Sequence, residues 1–414
     1  MPESNNPENG DIIKFIWKGK EMEGTFISID SDFFNIKLEN GYNISIKPQS
    51  FEIIKKGVSF AVNEGKEAKV SGKGKPISLI TTGGTIVSKV DYRTGAVFPS
   101  LDIEELTSRF RYMEQNYRLK RVDFSNILSE NIEPGQWVEI AKKTEHELRN
   151  SEGAVISHGT DTMSYTASAL AFMFEKQMGP VILVGSQRSS DRPSSDSYLN
   201  LEAAVGFATS EFGEVGISMH HNSSDERIDL IRGTRSRKMH STRRDAFKSI
   251  GEHPVGAFQD GLFSLSGKYR RKCGENVLKT KLERKVSLVY FYPGLEVEDL
   301  EKSMDGKKGV VIMGTGLGHI NTKYFQSISE RVKGGMKAVA TTQCIYGSTN
   351  LDIYSTGREM EKAGIISAGN ILPETAYVKM MYLLGNYSEE EFEVLMKTNM
   401  RGEILEREEL GVYL

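Results

Sequence analysis

Between Asp11 and Ile54 apolar and polar residues alternate in five short runs, IIKFIW, GTFISI, FFNIKL, YNISI and FEII, separated by KGKEMEG, DSD and ENG. Alternation with a period of two puts successive side chains on opposite faces, so these runs predict half-buried strands joined by tight turns. Five strands so close in sequence cannot stack as a large sheet. A small SH3-like or Sm-like β-barrel over residues 1–61 would hide their edges. Residues 62–76, ending in VSGKGKP, are poor in large apolar groups and rich in Gly and Lys, the composition of a solvated linker. Beyond them the pattern changes to ISLIT, GAVISH, PVILVG, GISMH, SLVYF, GVVIMG and AVATT, buried strands, with QWVEIAKKTEHELR and SYTASALAFMFEK reading as helices. This alternation predicts an α/β architecture with parallel sheets. The pattern lapses over residues 268–285, read as a solvated linker between two α/β lobes, residues 77–267 and 286–414.

Composition narrows the class. In 414 residues, 38% are apolar and 26% charged, enough to bury substantial cores. The 53 Lys and Arg against 56 Asp and Glu leave a formal charge of -3, too balanced for wholesale attraction to nucleic acid or a membrane surface. The start MPESNNPENGD has neither the basic end nor the apolar stretch of a secretory signal, and no run of about 18 apolar residues occurs. A cytoplasmic protein without membrane association is expected. Cys273 and Cys344 stand far apart and supply no metal-ligand spacing, so no metal is expected.

Candidate chemistry lies in the loops that leave the carboxyl ends of the expected parallel strands, where doubly wound sheets collect ligand-binding groups. The first reads Thr81-Thr82-Gly83-Gly84-Thr85. Its glycines allow a tight turn and uncover backbone N–H groups beside a hydroxyl. The second reads Ser157-His158-Gly159-Thr160-Asp161-Thr162, where Asp161 is also placed to cap the helix beginning near Met163. A third, Gly185-Ser186-Gln187-Arg188, leads to Asp196, and a fourth segment runs from Arg232 through Arg235, Arg237 and Lys238 to Arg244.

TTGGTI, SHGTDT, VILVGSQR and RGTRSRKMHSTRRDAF, in this order from about residue 77, resemble the bacterial-type asparaginase family. The added amino-terminal barrel, ending in LENGYNISIKP, makes the whole chain similar to one branch of that family, the D-type subunits of archaeal glutamyl-tRNA(Gln) amidotransferase. The resemblance implies Thr82 as nucleophile, with Thr160, Asp161 and Lys238 as the second catalytic group. It leaves open which threonine forms the acyl-enzyme, because both hydroxyls qualify. A lysine amine can act as the base once desolvation or neighbouring cations, Arg235 and Arg237 among the candidates, lower its pKa. Backbone N–H groups near Gly83 and Gly159 are candidates for the oxyanion, Ser129 and Glu130 for gripping the amino acid backbone, and Asp161 for its ammonium. Plain asparaginases carry a tyrosine where this chain has Gly95 and Ala96; Tyr92, displaced by a few positions, is the possible lid residue. By the same resemblance the chain would be a glutaminase within a homodimer bound to two copies of the E-type amidotransferase subunit, together a heterotetramer. It would release ammonia for conversion of Glu-tRNA(Gln) to Gln-tRNA(Gln). The chain shows no ATP site, so ATP and magnesium are expected at the partner. The alternative is a free-standing L-asparaginase with an appended binding domain.

Weaker signals stand beside these. The stretches Arg232–Arg244 and Lys268–Lys285 could contact phosphates, His220-His221 with Asp225 and Glu226 has no standard zinc spacing, and Gly314-Thr315-Gly316-Leu317-Gly318 has the wrong spacing for a dinucleotide loop.

Overall fold

The structure is a computed structural model that describes residues 7–8, 10–30, 32–38, 43–56, 75–83, 88–90, 97–99, 117–188, 194–409 and 411–412. At the amino-terminal end, five antiparallel strands lie in the order Asn43–Ile46, Phe33–Leu38, Lys20–Asp30, Ile12–Trp17 and Ser50–Lys55. Their alternating inward residues Ile13, Phe15, Phe26, Phe34, Ile36 and Ile46 make a small separate core. The rings of Phe34 and Phe51 lie 4.8 Å apart although their strands stand second and fifth in the order. A flat sheet would separate them by about 14 Å at the usual strand spacing, so this sheet is rolled. Among the described residues no ladder joins the two outer strands, and the expected barrel is here a rolled, open sheet.

The next lobe is built on eight strands in the order Leu262–Leu265, Gly256–Gln259, Arg227–Arg232, Val215–His220, Val181–Val184, Gly153–Ser157, Lys75–Thr81 and Tyr117–Asp123. The last five in this order run parallel to one another, and the remaining ladders are antiparallel. Gly153–Ser157, Val181–Val184 and Val215–His220 are buried at every position, as strands covered by helices on both faces must be. One face packs against helices Pro134–Leu148 and Met163–Met173, the other against helix Ser197–Phe207. Helix Pro134–Leu148 starts as its sequence dictates: Pro134 occupies the first turn, and Glu133 and Gln136 form a reciprocal capping box. Trp137, Ile140, Ala141, Thr144 and Leu148 then recur at helical spacing on its buried stripe.

The helix read through SYTASALAFMFEK stops at Met173, because Phe174–Lys176 turns into a strand paired with Val277–Leu278. That pairing also changes the picture of residues 268–285. The segment has no buried residue, yet it is strapped to the first lobe: Arg271 bridges Phe212, and Cys273 N–H and Lys279 N–H donate to the carbonyls of Gln177 and Met173.

The second lobe has four parallel strands in sequence order, Val286–Tyr290, Gly309–Gly314, Lys337–Thr342 and Ile365–Ser367. Its helix Pro373–Asn386 joins the two lobes. Val378, Met380, Met381 and Leu383 belong to a core cluster that both lobes share, and Tyr382 stacks on Phe172 at 5.8 Å. The Gly314–Gly318 segment closes a tight turn through a bridge between Thr315 and His319.

Candidate active site

Strand Lys75–Thr81 comes first in the parallel set. Tyr117–Asp123 follows on one side of it, and Gly153–Ser157 on the other. The chain therefore reverses its direction of winding between these strands, and loops at such a switch point diverge to leave a crevice. Thr81 pairs with Ser157 at the carboxyl end of the ladder, so the TTGG and SHGTDT loops leave side by side.

Thr82 is buried, 1% exposed. Its hydroxyl donates to the Ser157 carbonyl at 2.7 Å, and its own carbonyl accepts from Ile127 N–H and the Ser125 hydroxyl. Gly83 follows with φ 119°, and a Cβ there would lie 2.6 Å from the Ile127 carbonyl oxygen, so only glycine permits this turn. Thr82 is thus held rigidly beside the neighbouring strand end. Among the described residues no basic side chain reaches its hydroxyl.

Thr160, Asp161 and Lys238 are brought together. Lys238 Nζ donates to Thr160 Oγ1 at 2.8 Å and to Asp161 Oδ1 at 2.7 Å. The lysine side chain is 15% exposed and the Asp161 carboxylate 66% exposed, so the amine sits inside the crevice with its carboxylate at the mouth. Asp161 is not the helix cap; Thr162 holds that position, and its hydroxyl donates to the Ser129 carbonyl at 2.7 Å. Lys238 ends the short strand Ser236–Lys238, paired with Phe247–Ser249.

Ser129, on the single 3-10 turn Ser129–Asn131, is 3% exposed and packs under Gly159. A Cβ on Gly159 would meet Ser129 Cβ at 2.7 Å and Oγ at 2.8 Å. Glu130 is exposed beside it. His158 lies behind the turn, fully buried, with Nδ1 2.6 Å from the Gly159 carbonyl oxygen and Nε2 2.8 Å from Thr166 Oγ1. The carbonyl can only accept, so Nδ1 carries the proton and Nε2 accepts from Thr166. Burial pushes the His158 imidazole down to about 4, leaving a neutral ring that fastens the Gly159–Thr160 turn to its helix.

The arginines of the fourth segment serve the architecture. Arg232 is buried between Glu214 and Glu252. Arg235, 0% exposed, donates to the carbonyls of Ile250, Asn370 and Glu403, tying the turn before Lys238 to the second lobe. Burial lowers Arg235 to about 10, still charged at neutral pH. Arg237 faces Glu374 at 3.9 Å, and Arg243 and Arg244 pair with Asp245 and Asp225. The span therefore does not present a free basic face. His220 and His221 likewise engage separate carboxylates, Asp225 and Asp229.

Tyr92 lies outside the described residues. The loop at Gly185 is closer to the site than its sequence indicated: a Cβ at Gly185 would stand 2.8 Å from the Thr160 methyl. In the same loop the Gln187 side-chain nitrogen Nε2 is buried and has no hydrogen-bond partner among the described residues, a donor left available. Asn200, which holds this loop from helix Ser197–Phe207, was missed. Its only sequence signal is an amide in a helix that is mostly apolar, SYLNLEAAVGF.

Two α/β lobes, with two threonine turns at a switch point and a lysine joining one of them to a carboxylate, define an asparaginase-type amidohydrolase. The family profile described as "Asparaginase, N-terminal" matches residues 76–270, and "Glutaminase/Asparaginase C-terminal domain" matches residues 285–396. Among solved structures, the thermostable L-asparaginase of Thermococcus kodakarensis superposes with a TM-score of 0.74 at 31% identity, over 80% of this chain and 99% of that one. L-asparaginase I of Vibrio cholerae gives 0.69 at 28% identity, over 80% and 100%. The match to the D-type subunit of glutamyl-tRNA(Gln) amidotransferase from Thermoplasma volcanium is 47% identical over 95% of this chain and 97% of that protein, and to its counterpart in Thermoplasma acidophilum 45% over 95% and 96%. The chain belongs to the family of D-type glutamyl-tRNA(Gln) amidotransferase subunits, within the asparaginases.

Proposed function

We propose that this chain is the glutaminase subunit of a tRNA-dependent amidotransferase, acting in the cytoplasm to release ammonia from glutamine for conversion of Glu-tRNA(Gln) to Gln-tRNA(Gln). The observation that carries the chemistry is Lys238 Nζ within hydrogen-bond reach of both Thr160 and Asp161, on the loop beside Thr82. Lys238 in its amine form accepts a proton from a threonine hydroxyl, and the alkoxide attacks the carboxamide carbon. The proton passes to the departing nitrogen, ammonia leaves, and water hydrolyses the ester to glutamate and free threonine. Thr82 is assigned as the first nucleophile by family resemblance; Thr160 has the lysine already in place. Backbone N–H groups near Gly83 and Gly159 are assigned to the oxyanion, Ser129 to the α-carboxylate, and Glu130 and Asp161 to the ammonium.

Length supports the amidotransferase reading over a free-standing asparaginase. The solved asparaginases are matched almost whole by 80% of this chain, whereas the two amidotransferase relatives match 95% of it. The partners assigned are the E-type amidotransferase subunit, carrying ATP and magnesium, and tRNA(Gln) through the complex, with a homodimer of this chain inside a heterotetramer. Thr82 makes its hydroxyl bond to a backbone carbonyl, which takes up no proton. Its activation therefore requires a group outside the described residues, for which Tyr92 is the candidate, and partner binding is its proposed trigger. The test is ammonia release from glutamine by the purified chain, then with partner, ATP, magnesium and Glu-tRNA(Gln) added in turn. Turnover should be low alone and rise with the full set. Thr82→Val should abolish it. Asparagine turnover far above glutamine turnover without a partner would establish the asparaginase instead.

A further inference from the structure

Asn200 is fully buried and none of the chemistry above uses it. Its amide nitrogen donates to the Gly185 carbonyl at 3.0 Å and to Asp196 Oδ2 at 3.2 Å. Two acceptors on that side fix the amide's orientation, so its oxygen faces His220 and accepts from Nδ1 at 2.7 Å. Strand Val215–His220 holds Asn200 a second time, through Ser218, whose hydroxyl donates to the Asn200 carbonyl at 3.0 Å. Asp196 in turn accepts from the backbone N–H groups of Gln187 and Arg188. The bonds from Asn200 to Gly185 and from Gln187 and Arg188 to Asp196 hold the Gly185–Arg188 loop, while those from His220 and Ser218 hold Asn200 itself; a Cβ at Gly185 would have no space beside the Thr160 methyl or the His158 carbonyl.

From this geometry we infer that Asn200 is a positioning residue for the Thr160–Lys238 pair, and that His220, by donating from Nδ1, keeps the Asn200 amide facing the right way. A turned amide would set its oxygen against the Gly185 carbonyl and the Asp196 carboxylate. The loop would then retreat and Thr160 would lose the wall that fixes its rotamer. Displacement by about 1 Å is enough to cost roughly 100-fold in rate when reacting groups must meet in one geometry. Asp196, Asp225 and Arg244 are the charged groups around the His220 ring, and Asp225 lies on its far side, 3.2 Å from Nε2. The inference rests on the catalytic assignment of Thr160 and Lys238.

The stereochemistry of histidine supplies the test. An asparagine amide nitrogen falls near the position of imidazole Nδ1, a glutamine amide nitrogen near Nε2. Full-length chain in its complex with the partner is assayed for glutaminase kcat and KM with His220→Asn, His220→Gln and Asn200→Asp, alongside Lys238→Met. His220→Asn should keep kcat within about 3-fold, and His220→Gln should lower it about 10-fold or more at near-constant KM and the same thermal midpoint. Asn200→Asp, which removes both donors and faces Asp196 with a second carboxylate, should lose at least as much. Equal kcat for His220→Asn and His220→Gln, or losses that follow the thermal midpoint, would overturn the inference. Lys238→Met retaining full activity would instead overturn the catalytic assignment on which it stands.

Discussion

His158 offers a measurement that reads the burial behind the Gly159–Thr160 turn directly. Its imidazole has no exposed surface, and both ring nitrogens are engaged by uncharged partners, the Gly159 carbonyl and the Thr166 hydroxyl. A proton added at Nε2 would turn an acceptor into a second donor facing a hydroxyl, inside a medium that solvates charge poorly. In the unfolded chain the same ring titrates near 6.5, whereas in the fold it titrates near 4. Unfolding therefore takes up a proton between these values, and stability present above pH 6.5 is lost progressively as pH falls toward 4. The gap, at 1.36 kcal/mol per unit, amounts to roughly 3 kcal/mol when the window has been fully crossed.

Urea unfolding of the parent and of His158→Gln at steps from pH 7.5 to 4 isolates this contribution. Glutamine keeps a polar group beside Thr166 and cannot take up a proton in this range. The two stabilities will differ by a constant above about pH 7 and converge as pH falls, with a difference in slope approaching one proton. The other ionisable groups are common to both proteins and cancel. Parallel curves across the whole range would refute the argument, because they would mean that the ring is protonated as readily in the fold as outside it.

Lys238→Met, close in volume but without an amine, should lower glutaminase kcat by about 1000-fold or more with an unchanged circular dichroism spectrum, since no other amine reaches Thr160 among the described residues. Gly159→Ala drives a methyl into Ser129 and should cost about 1–3 kcal/mol in denaturant unfolding while raising KM for glutamine more than it lowers kcat. Lys379→Met leaves Glu403 charged and fully buried without its partner, a loss of about 3–5 kcal/mol in thermal or urea unfolding, and adding Glu403→Gln should restore part of it.

How much of this could be read from the sequence depends on the distance over which each feature is determined. Local pattern located the five amino-terminal strands, the body of helix Pro134–Leu148 and the threonine turns at Thr82 and Thr160, because alternation, helical periodicity and glycines act within a few positions. Rolling of the first sheet was expected from its five short strands, but which side chains meet across the roll was not, since the Phe34–Phe51 contact depends on strands that are not neighbours. The strap formed by Val277–Leu278 was also hidden: two apolar residues among lysines become a strand only when Phe174–Lys176 offers its backbone. Lys238 was legible by resemblance and not by spacing, for 78 positions separate it from Thr160.

The arginines show most clearly where reading along the chain misleads. Arg232, Arg235, Arg243 and Arg244 form a basic cluster in one dimension, the kind that suggests phosphate, yet each has its charge or its donors met within the fold. Arg235 is the decisive case. The acceptors that make its burial tolerable lie at Ile250, Asn370 and Glu403, the last two in the other lobe. Glu403 is itself fixed by Lys379, which also donates to the Met396 and Thr398 carbonyls. A guanidinium three residues before Lys238 is thus satisfied only when the second lobe and its carboxyl-terminal segment are in place. Removing a buried charge's partners is costly, so the lobe without threonine turns still sets where the lysine stands. The two lobes form one interlocked unit around Lys238 for this reason, although their sequences read as separate α/β series.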